Sequence, residues 1–286
     1  MHVTFLALVI LFALATPDPS VATVAASVGW LVAIFTCVVV HEFAHSLVAR
    51  TRGADVHEIM LFPLGGVSKL ERMPEVPTDE LAIAIAGPAA SVGLAGLAGL
   101  TAVAFGNQLL PPDLLAPGWP ARLMWLNLVL AGFNLVPAFP LDGGRVLRAL
   151  LERRWDRERA THVAARIGHG FALALVALGV LFNPWFVLIG VFVYLGASAE
   201  EAATVIHIRL QGLTVGDAVR RMPSRPVDPS SVEMLTVHDR LDEDLLALLG
   251  EHHGGLPVVE DQRVVGELHL EDVVELLDRT RGRKPR

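Results

Sequence analysis

Two histidines and a glutamate stand at a fixed spacing inside an apolar stretch, in the segment VVHEFAH at 39–45. On a helix, His41 and His45 lie four residues apart on one face, close enough for both imidazoles to bind one Zn²⁺. Glu42 projects beside them, where its carboxylate can take a proton from metal-bound water. Ionisable groups at membrane depth cost at least ~2.5 kcal/mol each, so three of them are rarely placed in an apolar stretch by chance. The pattern therefore predicts a zinc site with Glu42 as catalytic base.

A third metal ligand is needed, because catalytic zinc usually has three protein ligands and one position open to water. The segment NLVPAFPLDGGR at 134–145 offers Asp142. Its two prolines are expected to unwind a helix, and its double glycine to let the chain turn sharply after Asp142. We therefore expect this carboxylate on irregular backbone, at a depth similar to that of His45.

Three other interpretations of these charged residues stay open. Polar side chains can form a hydrogen-bonded cluster between helices without any metal. Buried His, Glu and Asp can also relay protons or ions in a transporter, although the chain shows no internal repeat of the kind that transporters commonly carry. An inactive scaffold that keeps the fold would tolerate the loss of Glu42.

The elements that must position these residues are apolar. The 286-residue chain is 53% hydrophobic and 19% charged, with mean hydropathy +0.52, a net charge of −7 and one cysteine. These values exclude a disordered chain and a disulfide-rich secreted scaffold, and they argue against a nucleic-acid partner. Half of the 30 acidic residues lie in the last 80 positions. A membrane part is therefore expected to precede a soluble part.

Six segments are candidate membrane spans, since a helix needs roughly 20 apolar residues to cross the hydrocarbon core. They are 1–16, 21–48, 81–105, 121–141, 165–182 and 184–205. Two short strand-like runs around Pro63 predict a re-entrant β-hairpin over 56–68, with an amphipathic surface segment as the alternative. The predicted fold is a membrane α-helical bundle of about six helices with this hairpin.

Positive charge predicts the orientation of these spans. The connections 49–80 and 142–162 carry ten Lys and Arg, whereas the opposite-side connections 17–20, 106–120 and 183–184 carry none. Both termini are therefore expected in the cytoplasm, in a multi-pass protein of the plasma or inner cell membrane.

Taken together, the motifs resemble those of the site-2 protease family, which are zinc intramembrane metalloproteases. The resemblance is carried by the HEFAH helix, PLGG at 63–66, AGP at 86–88 and NLVPAFPLDGGR at 134–145, in the family's order. It implies hydrolysis of peptide bonds in transmembrane segments near the cytoplasmic face, with a single-pass membrane protein as substrate. The alternative function is a regulated ion or proton transporter.

The resemblance also implies a role for each chemical position. The family's zinc ligands match His41, His45 and Asp142, which would hold one Zn²⁺ per chain. Its catalytic base matches Glu42, and an asparagine that assists matches Asn134.

Two further positions concern the substrate and the third span. A substrate segment that unwinds could add as a strand to the edge of the hairpin, so Gly65 and Gly66 are the predicted substrate-binding positions. Where the family often has asparagine a few residues after AGP, this chain has Ser91, and no role is carried over to it.

The end of the chain is predicted to be a separate unit. We expect a transmembrane metalloprotease domain at 1–206, a linker at 207–212, a cytoplasmic α/β domain at 213–280 and a basic tail at 281–286. Within the α/β domain we expect helices near 215–222 and 241–250, strands at 256–259 and 263–268, and a final helix from Glu271.

The segment from GLPVVED to VVGELHLED resembles a CBS domain. It has the length of about one unit, so pairing of two chains into a homodimer is the natural completion. CBS domains often bind adenine nucleotides, and Asp272 fits the position that contacts the ribose, although His269 replaces the usual hydroxyl residue. A module that serves dimerisation alone is the alternative, because an acidic domain is poorly suited to phosphate.

Overall fold

The computed structural model describes residues 21–53, 56–62, 65–70, 76–110, 118–226, 234–251, 255–261 and 263–279. The first predicted span, the turn of the hairpin and the predicted basic tail lie outside these residues. The chain divides into two compact units, the first ending at Glu200 and the second beginning at Glu201. The sequence places this boundary after residue 206.

The described part of the first unit is mainly helical. Its elements are α1 (Val21–Thr51), β1 (Val56–Phe62), β2 (Gly65–Leu70), α2 (Pro77–Ala104), α3 (Trp119–Asn134), α4 (Asp142–Leu151), α5 (Arg157–Leu181) and the first part of α6 (Pro184–Leu210). Among the described residues, four helices are long and apolar enough to cross a membrane: Thr23–Thr51, Pro77–Ala104, Arg157–Leu181 and Pro184–Leu210. They correspond to the second, third, fifth and sixth predicted spans.

The fourth predicted span, 121–141, is helical only as far as Asn134. Helix α3 is 16 residues long, and the segment 135–141 is irregular, because its two prolines cannot continue a helix. Asp142 is then the first residue of α4. The prediction that Asp142 lies on irregular backbone is therefore wrong.

The double glycine after Asp142 serves close packing. A Cβ on Gly143 would overlap the carbonyl oxygen of Val136, and one on Gly144 would lie 2.6 Å from the backbone nitrogen of Phe139. The expected sharp turn after Asp142 is absent, since both glycines lie in the first turn of α4. They allow this turn to pack directly on the irregular segment that precedes it.

The connection expected at 142–162 is mostly helical as well. It contains α4 and the start of α5, whose first turn is capped by Asp156 accepting a hydrogen bond from the backbone N–H of Arg159 at 2.8 Å.

The predicted break between the last two spans is confirmed. Helix α5 ends at Leu181, and α6 begins at Pro184.

Strands β1 and β2 form an antiparallel pair next to α1. Ile59 lies opposite Ser68 and Phe62 opposite Gly65, so the backbone has the predicted hairpin pairing. Gly65 and Gly66 are the first two residues of β2. That the pair of β1 and β2 enters the membrane stays a prediction.

The second unit contains a small mixed sheet with helices. After the end of α6 come α7 (Val215–Ala218), β3 (Arg220–Pro226), β4 (Leu235–Thr236), α8 (Glu243–Glu251), β5 (Leu256–Glu260), β6 (Arg263–Leu268) and α9 (Leu270–Arg279). The strand order is β3-β6-β5-β4; β3 and β5 are antiparallel to β6, and β4 is parallel to β5. Val215, Val258, Leu268 and Val273 are fully buried in its core.

Two details of this unit differ from the sequence predictions. The helix expected near 215–222 has only four residues, and strand β3 begins at Arg220. Helix α6 continues to Leu210, which is buried in the core of the second unit. The first part of the predicted linker at 207–212 is therefore helical.

Candidate metal centre

Three side chains from two helices converge at one point in the first unit. The Nε2 atoms of His41 and His45 lie 3.2 Å from each other, and each lies 3.2 Å from Oδ2 of Asp142. The two histidines are 2% and 8% exposed. The structure thus brings together the three predicted ligands, although His41 and Asp142 are 101 residues apart in the chain.

The spacing of these atoms fits a tetrahedral metal. Zinc binds histidine nitrogen and carboxylate oxygen at about 2.0–2.2 Å, so two ligands of a tetrahedral site lie roughly 3.3 Å apart. The three atoms here, each 3.2 Å from the other two, match that separation. Three ligands leave a fourth position open, as in catalytic zinc sites.

Each histidine is oriented through its other ring nitrogen. Nδ1 of His45 lies 2.7 Å from the carbonyl oxygen of Ile83, which can only accept, so this nitrogen carries the proton and Nε2 presents its lone pair. Nδ1 of His41 lies 2.9 Å from Oγ of the fully buried Ser91. Hydrogen bonds of this kind fix the tautomer and direction of a metal-binding imidazole.

One face of α2 supplies these contacts. Ile83, Gly87 and Ser91 follow one another at a spacing of four residues, and all three are buried. A Cβ on Gly87 would overlap Nε2 of His45 and lie 2.6 Å from Nε2 of His41. The glycine of the AGP motif is therefore the residue that gives the two imidazoles room.

The charges near the site favour the ionised form of its carboxylate. Burial raises the pKa of Asp142, but the adjacent side chains of His41 and His45 outweigh this effect and lower the pKa to about 2. The ligand is thus an anion at neutral pH, the form that binds a metal. Burial lowers the pKa of Arg145 on α4, but the carboxylates of Glu200 and Asp142 more than offset it, so the pKa is raised.

The two other predicted catalytic residues lie on α1 and at the end of α3. Glu42 follows His41 on α1 and is half-buried. Asn134 is half-buried at the end of α3; within the described residues, no hydrogen bond joins its side chain to the three ligands.

The predicted nucleotide contact, Asp272, belongs to the second unit. It is 5% exposed near the start of α9. One carboxylate oxygen accepts a hydrogen bond from the backbone N–H of His269 at 3.0 Å, and the other forms an ion pair with Arg220. Both oxygens therefore already have partners within the chain.

Ser91 was not assigned a role from the sequence, although its spacing of four from Gly87 was a usable signal. We expect Ser91→Ala to weaken zinc binding by about 10–100-fold, the usual effect of removing a group that orients a metal ligand. Chelator competition on the purified protein would measure this. Ser91→Thr, which keeps the hydroxyl, is the matched control, and equal zinc affinity in the alanine variant and wild type would contradict the role.

Comparison with known proteins places the chain in a family. Residues 29–111 and 120–175 match the model of peptidase family M50. The chain is 34% identical to the zinc metalloprotease MJ0392 of Methanocaldococcus jannaschii over 273 residues, which cover 93% of this chain and 73% of that protein. It is 33% identical to Rip3 of Mycobacterium tuberculosis over 252 residues, 85% of this chain and 62% of that protein.

A solved structure supports the same relationship. The site-2 protease from Methanocaldococcus jannaschii superposes with a TM-score of 0.52 at 34% identity, over 70% of this chain and 87% of that chain. The chain spans less than two thirds of Rip3. The matched ranges contain all three converging side chains. With four membrane-capable helices among its described residues, the chain is a multi-pass membrane protein that belongs to peptidase family M50, the site-2 protease family.

Proposed function

We propose that this protein is a zinc-dependent intramembrane endopeptidase, which hydrolyses peptide bonds in transmembrane segments of substrate proteins near the cytoplasmic face. The observation that carries the proposal is the triangle of His41, His45 and Asp142, with 3.2 Å between ligand atoms, on and beside an apolar helix. Relatives named as zinc metalloprotease and site-2 protease support it.

The residues around the triangle have complementary tasks in peptide hydrolysis. A zinc ion held there would lower the pKa of a coordinated water to about 7 and polarise the scissile carbonyl. Glu42, adjacent to the ligand His41, accepts the proton of the attacking water and returns it to the leaving amine. The side-chain amide of Asn134 donates to the developing oxyanion.

We further propose that β1 and β2 hold the substrate. A transmembrane helix hides its carbonyls in internal hydrogen bonds, so the substrate must unwind before cleavage. In the described residues β1 and β2 form a sheet of two strands, and an extended segment can add to such an edge. Gly65 and Gly66 lie at the start of β2, next to the turn.

Gly65→Val tests this role for the hairpin. A branched side chain beside the turn should disturb the strand edge and reduce cleavage of a transmembrane substrate several-fold, while the zinc content stays at the wild-type level. A gel-based cleavage assay and metal analysis would measure the two quantities. Ser68→Val, further along the same strand, is the control, and full cleavage by Gly65→Val would contradict strand addition.

The remaining parts of the proposal concern topology and the second unit. We propose that both termini lie in the cytoplasm of a cell membrane, and that the second unit is a CBS-like module through which two chains pair. Leu270 and Val274, which are 39% and 52% exposed on one face of α9, support a pairing surface. An adenine nucleotide at Asp272 stays a prediction, and its binding would require Arg220 to move.

Metal analysis of the detergent-purified protein, beside Asp142→Ala, tests the proposed function. We expect about one zinc per wild-type chain, as for a single three-ligand site, and much less in the variant. The wild type should cleave a transmembrane substrate, stop when zinc is removed by a chelator and recover when zinc returns. A zinc-free wild type, purified without chelator, would contradict the proposal and favour the ion-relay alternative.

A further inference from the structure

Charged side chains from four helices meet in the interior of the first unit. Nε of Arg148 on α4 lies 2.7 Å from Oε1 of Glu80 on α2, and the two side chains are 3% and 4% exposed. Arg148 also lies 3.1 Å from Glu200 on α6, and Arg157 on α5 lies 3.4 Å from the second oxygen of Glu80. We call Glu80, Arg148, Arg157 and Glu200 the ion-pair cluster.

Burial makes the geometry of this cluster matter. Charges removed from water are costly, and the attraction between them offsets that cost only where the geometry is good. A solvent-exposed pair, in contrast, tolerates many arrangements at little cost. The ion-pair cluster therefore favours the relative position of its four helices in which these short distances between charged groups are kept.

One end of the cluster lies on the face of α2 that supports the histidines. Glu80 precedes Ile83, Gly87 and Ser91 at a helical spacing of three and then four residues, and all four are buried. Ile83 and Ser91 contact the Nδ1 atoms of the two histidines. Glu80 is thus the charged residue at the N-terminal end of this buried face of α2.

The other end of the cluster lies on the helix that carries the third ligand. Arg148 follows Asp142 by six residues on α4, and its guanidinium lies 5.1 Å from the centre of the Phe139 ring. Helix α4 has ten residues and no side-chain cap at its start. A helix of this length is not stable by itself, so contacts from other helices must fix its position.

We propose that the ion-pair cluster is a positioning device for the metal centre, which holds α4 against α2 and so keeps the Asp142 carboxylate beside His41 and His45. The inference rests on the proposed zinc function. It makes Glu80 and Arg148 positioning residues, which touch neither the metal nor the substrate.

Glu80→Gln in the purified full-length protein tests this role. The amide keeps the shape of the side chain but removes the charge that pairs with Arg148. We expect zinc affinity, measured by competition with a chelator, to fall roughly tenfold, the lower range for residues that support metal ligands. The visible absorption of bound Co²⁺ should also change, because it depends on how the three ligands are arranged. A general loss of stability would change neither property of the folded protein.

Arg148→Lys provides a second variant in case Glu80→Gln does not fold. It keeps the positive charge, but an ammonium group cannot reproduce the fork that contacts both Glu80 and Glu200. We expect a lower zinc affinity and an altered Co²⁺ spectrum here too, with both changes smaller than in Glu80→Gln.

Asp79→Asn is the matched control, because it removes a negative charge from the same turn of α2. Asp79 pairs with Arg52 at 2.6 Å, and these side chains are 24% and 45% exposed, so wild-type metal binding is expected. Wild-type affinity and spectrum in Glu80→Gln and Arg148→Lys, or an equal loss in Asp79→Asn, would overturn the inference. A wild type that binds no metal would instead contradict the proposed function, and the inference with it.

Discussion

Glu42→Gln should leave zinc bound at the wild-type level and lower the cleavage of a transmembrane substrate by about 10²–10⁴-fold. That range is the usual contribution of a positioned general base or acid. Glutamine has nearly the same shape as glutamate, but its amide cannot accept a proton at neutral pH. The three converging ligand atoms belong to other residues, so metal binding does not require the Glu42 charge.

This variant separates catalysis from metal binding. Cleavage would be followed in detergent or in vesicles, with zinc measured on the same preparation. Asp142→Ala is the complementary variant, because it should lose zinc and activity together. If Glu42→Gln cleaved at the wild-type rate with zinc bound, the proton would have to be accepted by another group, and the assignment of Glu42 as base would be wrong.

The metal triangle could be predicted from the sequence because its geometry is largely local. A spacing of four residues on one helix places two imidazoles together whatever the rest of the fold does. Asp142 needed one further argument, that a proline-broken helix ends at the same side of the bundle as His45. The structure brings the three side chains together, although the backbone at Asp142 is helical.

The groups that orient these ligands could not be predicted in the same way. Ser91 and Ile83 contact the histidines from another helix, and the rotation of that helix is a result of tertiary packing. A hydrogen bond to the carbonyl of Ile83 leaves no trace in residue type at all. The AGP motif at 86–88 entered only as part of a family resemblance, and it does not reveal that Gly87 lies against both imidazoles.

Arginines on α4 and α5 show a second limit of sequence reasoning. Arg148 and Arg157 counted among the positive charges that predict a cytoplasmic connection. The structure instead places Arg148 in the interior, 2% exposed, paired with Glu80 and Glu200. Glu200, inside the sixth predicted span, was the available signal, because such a charge is rarely placed there without a partner. Exposed arginines such as Arg153 and Arg154 still support the predicted orientation.

In the second unit, regular patterns were predicted well and irregular ones were not. Strand β6 has the predicted bounds, Arg263–Leu268, and its burial alternates along the strand. Strand β3 has two prolines and three arginines and no alternation of apolar residues. It lies at the edge of the sheet, where proline is tolerated, and its pairing with β6 depends on contacts distant in the chain.

Gly87→Ala should abolish zinc binding and cleavage, although it adds only one methyl group. The added carbon would overlap Nε2 of His45 and crowd Nε2 of His41, and both atoms are predicted metal ligands. Neither imidazole can retreat without losing its contact to Ile83 or Ser91. Alanine stabilises a helix by up to about 1 kcal/mol relative to glycine, so a loss of function would not come from a weaker helix.

Gly93→Ala is the matched control for this prediction, because it makes the same substitution on the same helix. A Cβ at Gly93 meets no atom within 4 Å among the described residues, so zinc content and cleavage should equal those of the wild type. Metal analysis, cleavage assays and thermal unfolding of the wild type, Gly87→Ala and Gly93→Ala would measure these effects. Zinc retained in Gly87→Ala would mean that the two histidines hold the metal away from α2, so their hydrogen bonds with Ile83 and Ser91 could not orient them.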